Sequence, residues 1–315
     1  MKIIVTGGLG HIGSHLIRDL PFLFTNVEMV IIDNLLTQRY PSLYNLPDGV
    51  HYRFIEGDVT TMELVPIFQG ANVVIHLAAI TDATRSFERR EEVESVNLTA
   101  TSQVADACVK TKVPMVLASS TSVYGTQNQQ VDENCSADEL KPQSPYAETK
   151  LREEALISEK CINESLKAII FRYGTIFGIS PGMRFHTAVN KFCWQAVMGI
   201  PLTVWKTAYE QKRPYLELND AVNAIAFVIK SQLFDGRVYN VVSVNSTVRD
   251  VVEEIRQHIP TLRVNFVESK IMNQLSYEVL NSRMLEVGFK PKGNLGQGIA
   301  ETIGLLKNAS FSNDC

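Results

Sequence analysis

The chain has 315 residues and a mass of 35.2 kDa, enough for one large domain or for a nucleotide-binding domain with a smaller companion. Hydrophobic residues make up 45% and charged residues 20%, which is ordinary for a globular protein. A net charge of -4 argues against nonspecific binding to nucleic acid or to an anionic membrane, because both favour a basic surface. We therefore expect neither of these partners.

The cysteines and the N-terminal residues indicate the compartment. The five cysteines are odd in number and no two are spaced as C-x-x-C, so neither a disulfide framework nor a zinc site is predicted. A strand-like run, residues 2–5, follows Met1 directly, where a signal peptide would have its charged and apolar regions. No apolar run approaches the ~20 residues that span a bilayer. We expect a cytoplasmic protein that binds no metal.

Short apolar runs alternate with helix-like segments through the first 180 residues. Most of these runs are continuously apolar and rich in Val and Ile, which is typical of parallel strands buried on both faces. The alternation therefore predicts an α/β fold with a doubly wound parallel sheet. The predicted strands are Lys2–Thr6, Val27–Asp33, Tyr52–Gly57, Asn72–Ala79, Val113–Ser119 and Lys167–Tyr173, with Arg237–Ser243 as an edge strand.

Beyond about residue 178 the pattern is less regular, because prolines and glycines separate the helical stretches. The helices predicted there cover about 186–198, 219–231, 247–258 and 296–307. We interpret 1–178 as a larger domain to which the chain returns around 215–243, and 179–315 as mainly a smaller domain on the substrate side.

The first predicted strand leads into a glycine-rich turn in which Gly7, Gly10 and Gly13 are spaced G-x-x-G-x-x-G. Because glycine has no Cβ, such a turn lets backbone amides approach a pyrophosphate, and the following helix offers free N–H groups to that anion. The motif alone is a weak signal. Its place after a strand and before a helix predicts a dinucleotide site of the Rossmann type.

The second predicted strand ends in Asp33, twenty residues after Gly13. A carboxylate there can bind both adenosine ribose hydroxyls and would repel a 2′-phosphate, so NAD is favoured over NADP. Arg39 lies nearby in the sequence and could accept a phosphate, which leaves NADP as the alternative. Residues 1–178 are thus predicted to be an NAD-binding Rossmann domain. His76, on an apolar strand, is interpreted as a buried core residue.

Candidate catalytic residues follow the fifth predicted strand, Val113–Ser119, which ends in a serine-rich segment. Tyr146 and Lys150 come next on a predicted helix, and their spacing places them on one helix face. A free tyrosine ionises near pH 10, but a neighbouring ammonium, together with the positive charge of an oxidised nicotinamide ring, lowers the pKa of the phenol. Tyr146 can then take a proton from a substrate hydroxyl, while a serine hydroxyl bonds the same oxygen.

These motifs, in this order, resemble the extended short-chain dehydrogenase/reductase family, and within it the NAD-dependent nucleotide-sugar epimerase/dehydratase group. The resemblance covers essentially the whole chain and includes the segments Arg172–Gly178, Lys212–Asp220 and Asn281–Pro291. It implies a Rossmann-type doubly wound sheet with a smaller C-terminal substrate-binding domain. It also implies a homodimer formed through the helices at about 91–112 and 146–162.

The resemblance assigns a role to each residue that matches a family motif. It makes Tyr146 the base, Lys150 its activator and a ribose ligand, and Ser120 the hydroxyl partner. The implied NAD contacts are Gly7, Gly10, His11, Ile12, Gly13, Asp33, Asn34, Asp58, Val59, Leu77, Ala78, Ala79, Asn97, Tyr146, Lys150 and Tyr173. The implied contacts with a nucleotide-diphosphate sugar are Thr81, Ser120, Thr121, Ser122, Thr175, Arg184 and Arg213.

The two residues after Ser120 discriminate between reactions. The 4,6-dehydratases that this chain resembles carry Asp-Glu there, and sugar-acid decarboxylases retain the Glu, whereas this chain has Thr121 and Ser122. Hydroxyls are much poorer acids and bases than carboxyl groups. The chemistry that remains is oxidation at a sugar carbon and return of hydride to the opposite face. We therefore predict epimerisation at C4.

Three alternatives stay open. A dehydrogenase would release the 4-keto sugar, and the segment Phe177–Arg184 is similar to family members that oxidise GDP-linked heptoses. A 4,6-dehydratase and a non-catalytic NAD-binding protein are the others. Thr81 and Thr175 stand where galactose epimerases carry Lys and Asn, so the nucleotide and the sugar also remain open.

Overall fold

A seven-stranded sheet lies at the centre of the protein in the computed structural model, which describes residues 1–125, 129–268 and 276–309. The described strands are β1 Lys2–Thr6, β2 Glu28–Asp33, β3 His51–Glu56, β4 Val73–His76, β5 Met115–Ser120, β6 Gln130–Val131, β7 Ala168–Tyr173, β8 Thr175–Phe177, β9 Leu202–Trp205, β10 Lys212–Glu217, β11 Val238–Val241, β12 Val244–Thr247, β13 Val264–Val267 and β14 Glu278–Val279. The described α-helices are α1 His11–Asp19, α2 Val65–Phe68, α3 Arg90–Thr111, α4 Pro145–Asn163, α5 Ala188–Val197, α6 Leu218–Ser231, α7 Val248–His258, α8 Ser282–Glu286 and α9 Leu295–Leu306.

The strand order of the large sheet is β11-β7-β5-β4-β1-β2-β3, and all its neighbouring strands are parallel. The predicted doubly wound fold is confirmed, including β11 at the edge. β4 ends at His76, three residues before the predicted end, because the chain leaves the sheet there to line a cavity. The order reverses between β1 and β4, and a crevice is expected at the carboxyl ends of the strands at this point.

The large sheet is buried on both faces. Ile3 and Val5 of β1 pack with apolar residues of α1 and α6, whereas Ile4 of β1 packs with residues of α3 and α4. Successive strand residues point to opposite faces, so two apolar cores require a continuously apolar strand. This accounts for the absence of alternation in the predicted strands.

Three smaller sheets lie outside the large one, in the orders β12-β10-β8, β13-β9 and β14-β6. A third apolar cluster combines residues of α5, α7 and α9 with the small strands. Within the segment 215–243, α6 packs against α1 and β11 joins the large sheet, whereas β10 pairs with β8 and β12. The division near residue 178 remains a prediction.

The helix α3 carries an apolar stripe, which could pack within the chain or against a second copy of it. Val93, Ala100, Val104 and Ala107 are all buried within the single chain, so the packing of its core accounts for them. The homodimer therefore remains a prediction that these residues do not support. No helix among the described residues is long and apolar enough to cross a membrane.

Candidate active site

A cavity of about 440 Å³ lies at the carboxyl ends of the central strands. Its walls come from the segments that follow β1, β2, β3, β4, β5 and β7, together with Tyr146 and Lys150 of α4. This is the crevice expected where the strand order reverses, and a doubly wound sheet usually binds its ligand there.

The glycine turn forms one wall of the cavity. Gly7 has a φ of +67°, and a Cβ added to it would lie 2.5 Å from the backbone nitrogen of Ala78. A Cβ on Gly13 would lie 2.7 Å from the carbonyl oxygen of Gly7. The helix α1 begins at His11, has no side-chain cap, and contributes its first three residues to the cavity wall. Backbone N–H groups at an uncapped helix N-terminus fit a pyrophosphate.

Asp33 lies on the same wall, at the end of β2. Its Oδ2 accepts a hydrogen bond from the backbone N–H of Leu9 at 3.0 Å, and its Oδ1 accepts one from Leu35 at 3.0 Å. The carboxylate is thereby fixed beside the glycine turn, as ribose recognition requires. Arg39 also lines the cavity, and its guanidinium donates to the carbonyl of Gly182.

The far end of this wall is polar. The Asn34 side-chain amide donates to Oδ2 of Asp58 at 3.0 Å, and the backbone N–H of Thr60 donates to Oδ1 at 2.9 Å. Burial alone would raise the pKa of Asp58, but the hydrogen bonds from Thr60 and Asn34 outweigh burial and lower it. Asp58 therefore stays ionised. The other predicted NAD contacts that line the cavity are Val59, Leu77, Ala78, Ala79 and Tyr173.

The three predicted catalytic residues meet at the opposite wall. Ser144 caps α4 by accepting a hydrogen bond from the N–H of Ala147 at 3.2 Å, which places Tyr146 in the first turn. Lys150 lies one turn later, with Nζ 5.9 Å from the centroid of the Tyr146 ring. The side chain of Ser120 lies close enough to the Tyr146 hydroxyl to lower the pKa of this phenol. Ser120 accepts a hydrogen bond from the hydroxyl of Ser122 at 2.9 Å.

The protein's own groups have opposing effects on the pKa of Tyr146. Burial raises this pKa, and the positive charges of Lys150 and Arg184 lower it by less than burial raises it. The protein's own groups therefore do not bring the phenol below its ordinary pKa, because desolvation penalises the phenolate more than the ammonium stabilises it. A further positive charge in the cavity would lower this pKa.

Several polar side chains face the catalytic group across the cavity. Arg184 donates a hydrogen bond to Oγ1 of Thr81, and both line the cavity with Thr175. His186 lies beside Arg184, and burial together with that charge lowers its pKa to about 4. Burial likewise lowers the pKa of His11 to about 4, although its Nε2 bonds the carbonyl of Gly178 at 3.0 Å. Both histidines are therefore neutral at pH 7, and Arg184 is the charged side chain of this group that acts on Tyr146.

Three predicted contact residues do not line the cavity. The amide of Asn97 is used by the backbone of Ile80, with bonds of 2.8 and 3.0 Å to its N–H and carbonyl. The hydroxyl of Thr121 donates to the carbonyl of Tyr173 at 3.2 Å. Arg213 lies on β10 of a small sheet, and its guanidinium donates to Gln211 at 2.6 Å. Asn97 and Thr121 therefore hold the cavity wall in place instead of facing a ligand.

Two buried hydroxyls at the cavity fit a bound ligand. Tyr173 and Thr187 both line the cavity, and their hydroxyls have no hydrogen-bond partner among the residues the structure describes. A buried polar group without a partner costs about 1–3 kcal/mol, so each hydroxyl favours a ligand with polar groups. Thr187 and His186 were missed from the sequence because no motif surrounds them. Together with the glycine turn and Asp33, this wall fits NAD.

A buried ion pair supports the site from behind. The guanidinium of Arg172 on β7 lies 2.6 Å from a carboxylate oxygen of Glu154 on α4. The same carboxylate accepts a hydrogen bond from Ser119 on β5 at 2.5 Å, and Arg172 donates to the hydroxyl of Tyr124 at 3.0 Å. These bonds tie β5, β7 and α4 together, and the three elements carry Ser120, Tyr173, Tyr146 and Lys150. His76, as predicted, is a buried core residue, bonded to Thr6 and Thr101.

A dinucleotide cradle, an acidic residue after the second strand and a Tyr/Lys pair across the cavity define a Rossmann-fold enzyme that uses a nicotinamide cofactor. Residues 3–242 match the model of the NAD dependent epimerase/dehydratase family, and the chain belongs to this family. It is therefore an enzyme whose cofactor is NAD.

The relatives of the chain include epimerases and dehydratases. It is 30% identical over 249 residues to YtcB of Bacillus subtilis strain 168, an uncharacterized UDP-glucose epimerase, with 76% of each chain covered. It is 25% identical over 317 residues to dTDP-D-glucose 4,6-dehydratase of Bos taurus, covering 96% of this chain and 87% of that one. The UDP-glucuronic acid 4-epimerase of Bacillus cereus, solved with UDP-glucuronic acid and NAD, superimposes with a TM-score of 0.85 at 26% identity, covering 98% and 99%.

Proposed function

We propose that the protein interconverts two UDP-sugars that differ in configuration at C4, through a transient keto sugar. The observation that carries this proposal is that Ser120, Tyr146 and Lys150 meet at the cavity while the next two residues bear hydroxyls. The hydroxyl of Thr121 bonds the Tyr173 carbonyl, and that of Ser122 bonds Ser120. Neither can replace a carboxyl group that removes water, which supports epimerisation over dehydration.

In this mechanism each residue has a defined task. When bound, NAD would accept and return the hydride, and the positive charge of its nicotinamide ring would lower the pKa of Tyr146 further. Tyr146 takes the proton of the C4 hydroxyl and later returns it, while the Lys150 ammonium stabilises the phenolate. Ser120 orients the sugar oxygen. The glycine turn and Asp33 would hold the cofactor, so that oxidation and reduction would occur in the same cavity.

Arg184 supports an anionic substrate. Its guanidinium is close enough to Tyr146 to affect the pKa of that phenol, and no described carboxylate forms an ion pair with it. We propose that it binds an oxygen of the diphosphate or a carboxylate on the sugar, since a guanidinium forms strong bonds with either.

Replacing Arg184 by methionine is expected to raise KM roughly 10- to 100-fold, because a hydrogen bond to a charged group contributes about 1.5–3 kcal/mol. Initial rates with UDP-glucose and UDP-glucuronic acid measure the effect. A rise for both indicates the diphosphate, and a rise for the acid alone indicates the sugar carboxylate. Arg249→Met, at a half-exposed ion pair with Glu210, is the matched control. An unchanged KM for every substrate of R184M would contradict the assignment.

The reaction is tested by incubating the enzyme with UDP-, GDP-, CDP- and dTDP-sugars, following products by NMR and NADH by absorbance. We expect a UDP-hexose to convert to its C4 epimer without net NADH. Stoichiometric NADH would favour the dehydrogenase, and loss of water would favour the dehydratase. Bound NAD with no turnover of any sugar would favour the non-catalytic alternative.

We propose a cytoplasmic setting from the state of the cysteines. Cys108, Cys135, Cys161 and Cys193 are unpaired in the described residues, which supports a reducing compartment such as the cytoplasm. A homodimer through α3 and α4 is proposed from the family resemblance.

A further inference from the structure

A second carboxylate lies at the catalytic lysine. Glu153, one helical turn beyond Lys150 on α4, places Oε2 at 2.8 Å from Nζ of Lys150. The exposed fractions of the two side chains are 4% for Lys150 and 1% for Glu153, so the pair is buried at the edge of the cavity. The Tyr/Lys pattern does not require an acidic residue at this position.

The surroundings of Glu153 fix its Oε2 and leave the other oxygen free. Oε2 also accepts a hydrogen bond from the hydroxyl of Thr101 on α3 at 3.0 Å. Oε1 is buried and has no hydrogen-bond partner among the described residues. Among the described residues, the carboxylate of Glu153 is thus bonded to one charged group, the Lys150 ammonium, and to one neutral hydroxyl.

We propose that Glu153 is a positioning residue that keeps Lys150 protonated and holds its ammonium beside Tyr146. The reason is electrostatic. A lone ammonium buried to this degree would favour the neutral amine, because desolvation penalises its charged form. A neutral amine cannot stabilise the Tyr146 phenolate. The inference rests on the proposed function, in which that phenolate is the base.

The direction of the lysine pKa agrees with this role. Burial lowers the pKa of Lys150, but the adjacent Glu153 carboxylate, with a smaller effect from Tyr146, more than offsets burial and raises it. Burial raises the pKa of Glu153, and Lys150 opposes that rise.

The other titratable groups that face the pair are His76 on β4, Glu154 on α4 and Tyr146 itself, while Arg184 faces Tyr146. Burial lowers the pKa of His76 to about 3, so His76 stays neutral over the working range. Glu154 is paired with Arg172.

Glu153→Gln tests the proposal, because it removes the charge and nearly preserves the shape. Without the Glu153 charge, the largest opposing effect is gone and burial lowers the pKa of Lys150. The ammonium should therefore lose its proton at lower pH than in the parent. We expect the alkaline limb of the kcat profile to move to lower pH by about one unit or more, with KM nearly unchanged. Glu148→Gln, at a half-exposed pair with Arg90 on the same helix, should keep the parental profile.

A second readout needs no substrate. In the variant the folded pKa of Lys150 lies below its unfolded value of about 10.4, so the unfolded state binds more protons between the two values. The stability of E153Q should therefore rise relative to the parent as pH increases from about 6 to 9, and the difference in Tm should shrink. This outcome would stand even if no sugar were turned over, which separates the two proposals.

Glu153→Asp carries the test if E153Q does not fold. It keeps the charge but withdraws it from Nζ, so both effects should have the same sign and smaller size. An alkaline limb at the parental pH, combined with a Tm difference that does not change with pH, would overturn the proposal and leave Glu153 a structural residue only.

Discussion

Replacing Tyr146 by phenylalanine is expected to lower kcat roughly 10²- to 10⁴-fold, the usual contribution of a positioned acid or base. The change removes one oxygen and keeps the ring that packs at the start of α4. Because Tyr146 lines the cavity beside Ser120, loss of its hydroxyl should affect proton transfer and leave the glycine turn and Asp33 intact. Steady-state rates and a separate titration with NAD distinguish these effects.

Tyr44→Phe serves as the control for this variant. Tyr44 is 61% exposed, and its hydrogen bond with Arg18 is accepted by its backbone carbonyl, which the substitution keeps. This variant should keep parental kcat and NAD affinity. If Y146F retained parental kcat, another group would have to act as the base.

Gly7→Ala is expected to abolish NAD binding under conditions that saturate the parent. The added Cβ would meet the backbone of Ala78 at 2.5 Å, and the closest atom belongs to the main chain, so the β4 segment would have to move. That movement would displace the cradle on which the pyrophosphate is expected to lie. Calorimetric or fluorescence titration with NAD measures the loss.

Gly199→Ala separates this contact from simple backbone strain. Gly199 has nearly the same φ, +68°, but a Cβ there would have no atom within 4 Å. A side chain in the left-handed region costs about 1–2 kcal/mol, so G199A should lose that much stability and keep its NAD affinity. Equal NAD affinity in G7A and the parent would show that Gly7 does not shape the cofactor site.

The fold could be predicted from the sequence because its strongest constraint is local. A strand such as Lys2–Thr6 or Val73–His76 is buried on both faces, and only a continuously apolar run satisfies that requirement. The small sheets were less predictable. β14 pairs with β6 at a separation of 148 residues along the chain, and each strand has two residues, too few for a periodic pattern.

The candidate site was predictable where chemistry demands a fixed spacing along the chain. Gly7, Gly13, Tyr146 and Lys150 are of this kind, and all four line the cavity. Side-chain direction at loops does not follow from spacing. The hydroxyl of Thr121 turns to a backbone carbonyl although both neighbouring serines line the cavity.

The depth at which Tyr146 is buried is another property that spacing along the chain does not give. The Tyr/Lys spacing reveals the stabilising ammonium but not the depth of burial, and burial has the larger effect on this pKa. Glu153 was overlooked in the same way, because an acidic residue on a charged helix usually faces solvent.

The central claim, that Tyr146 deprotonates the C4 hydroxyl while hydrogen leaves and returns to C4 in one closed site, can be tested with a substrate deuterated at C4. NMR and mass spectrometry of the product in ordinary water give the position of the label. The account predicts a C4 epimer that keeps its deuterium at C4. Replacement of that deuterium by solvent hydrogen, or solvent hydrogen at a neighbouring carbon with C4 unchanged, would contradict it.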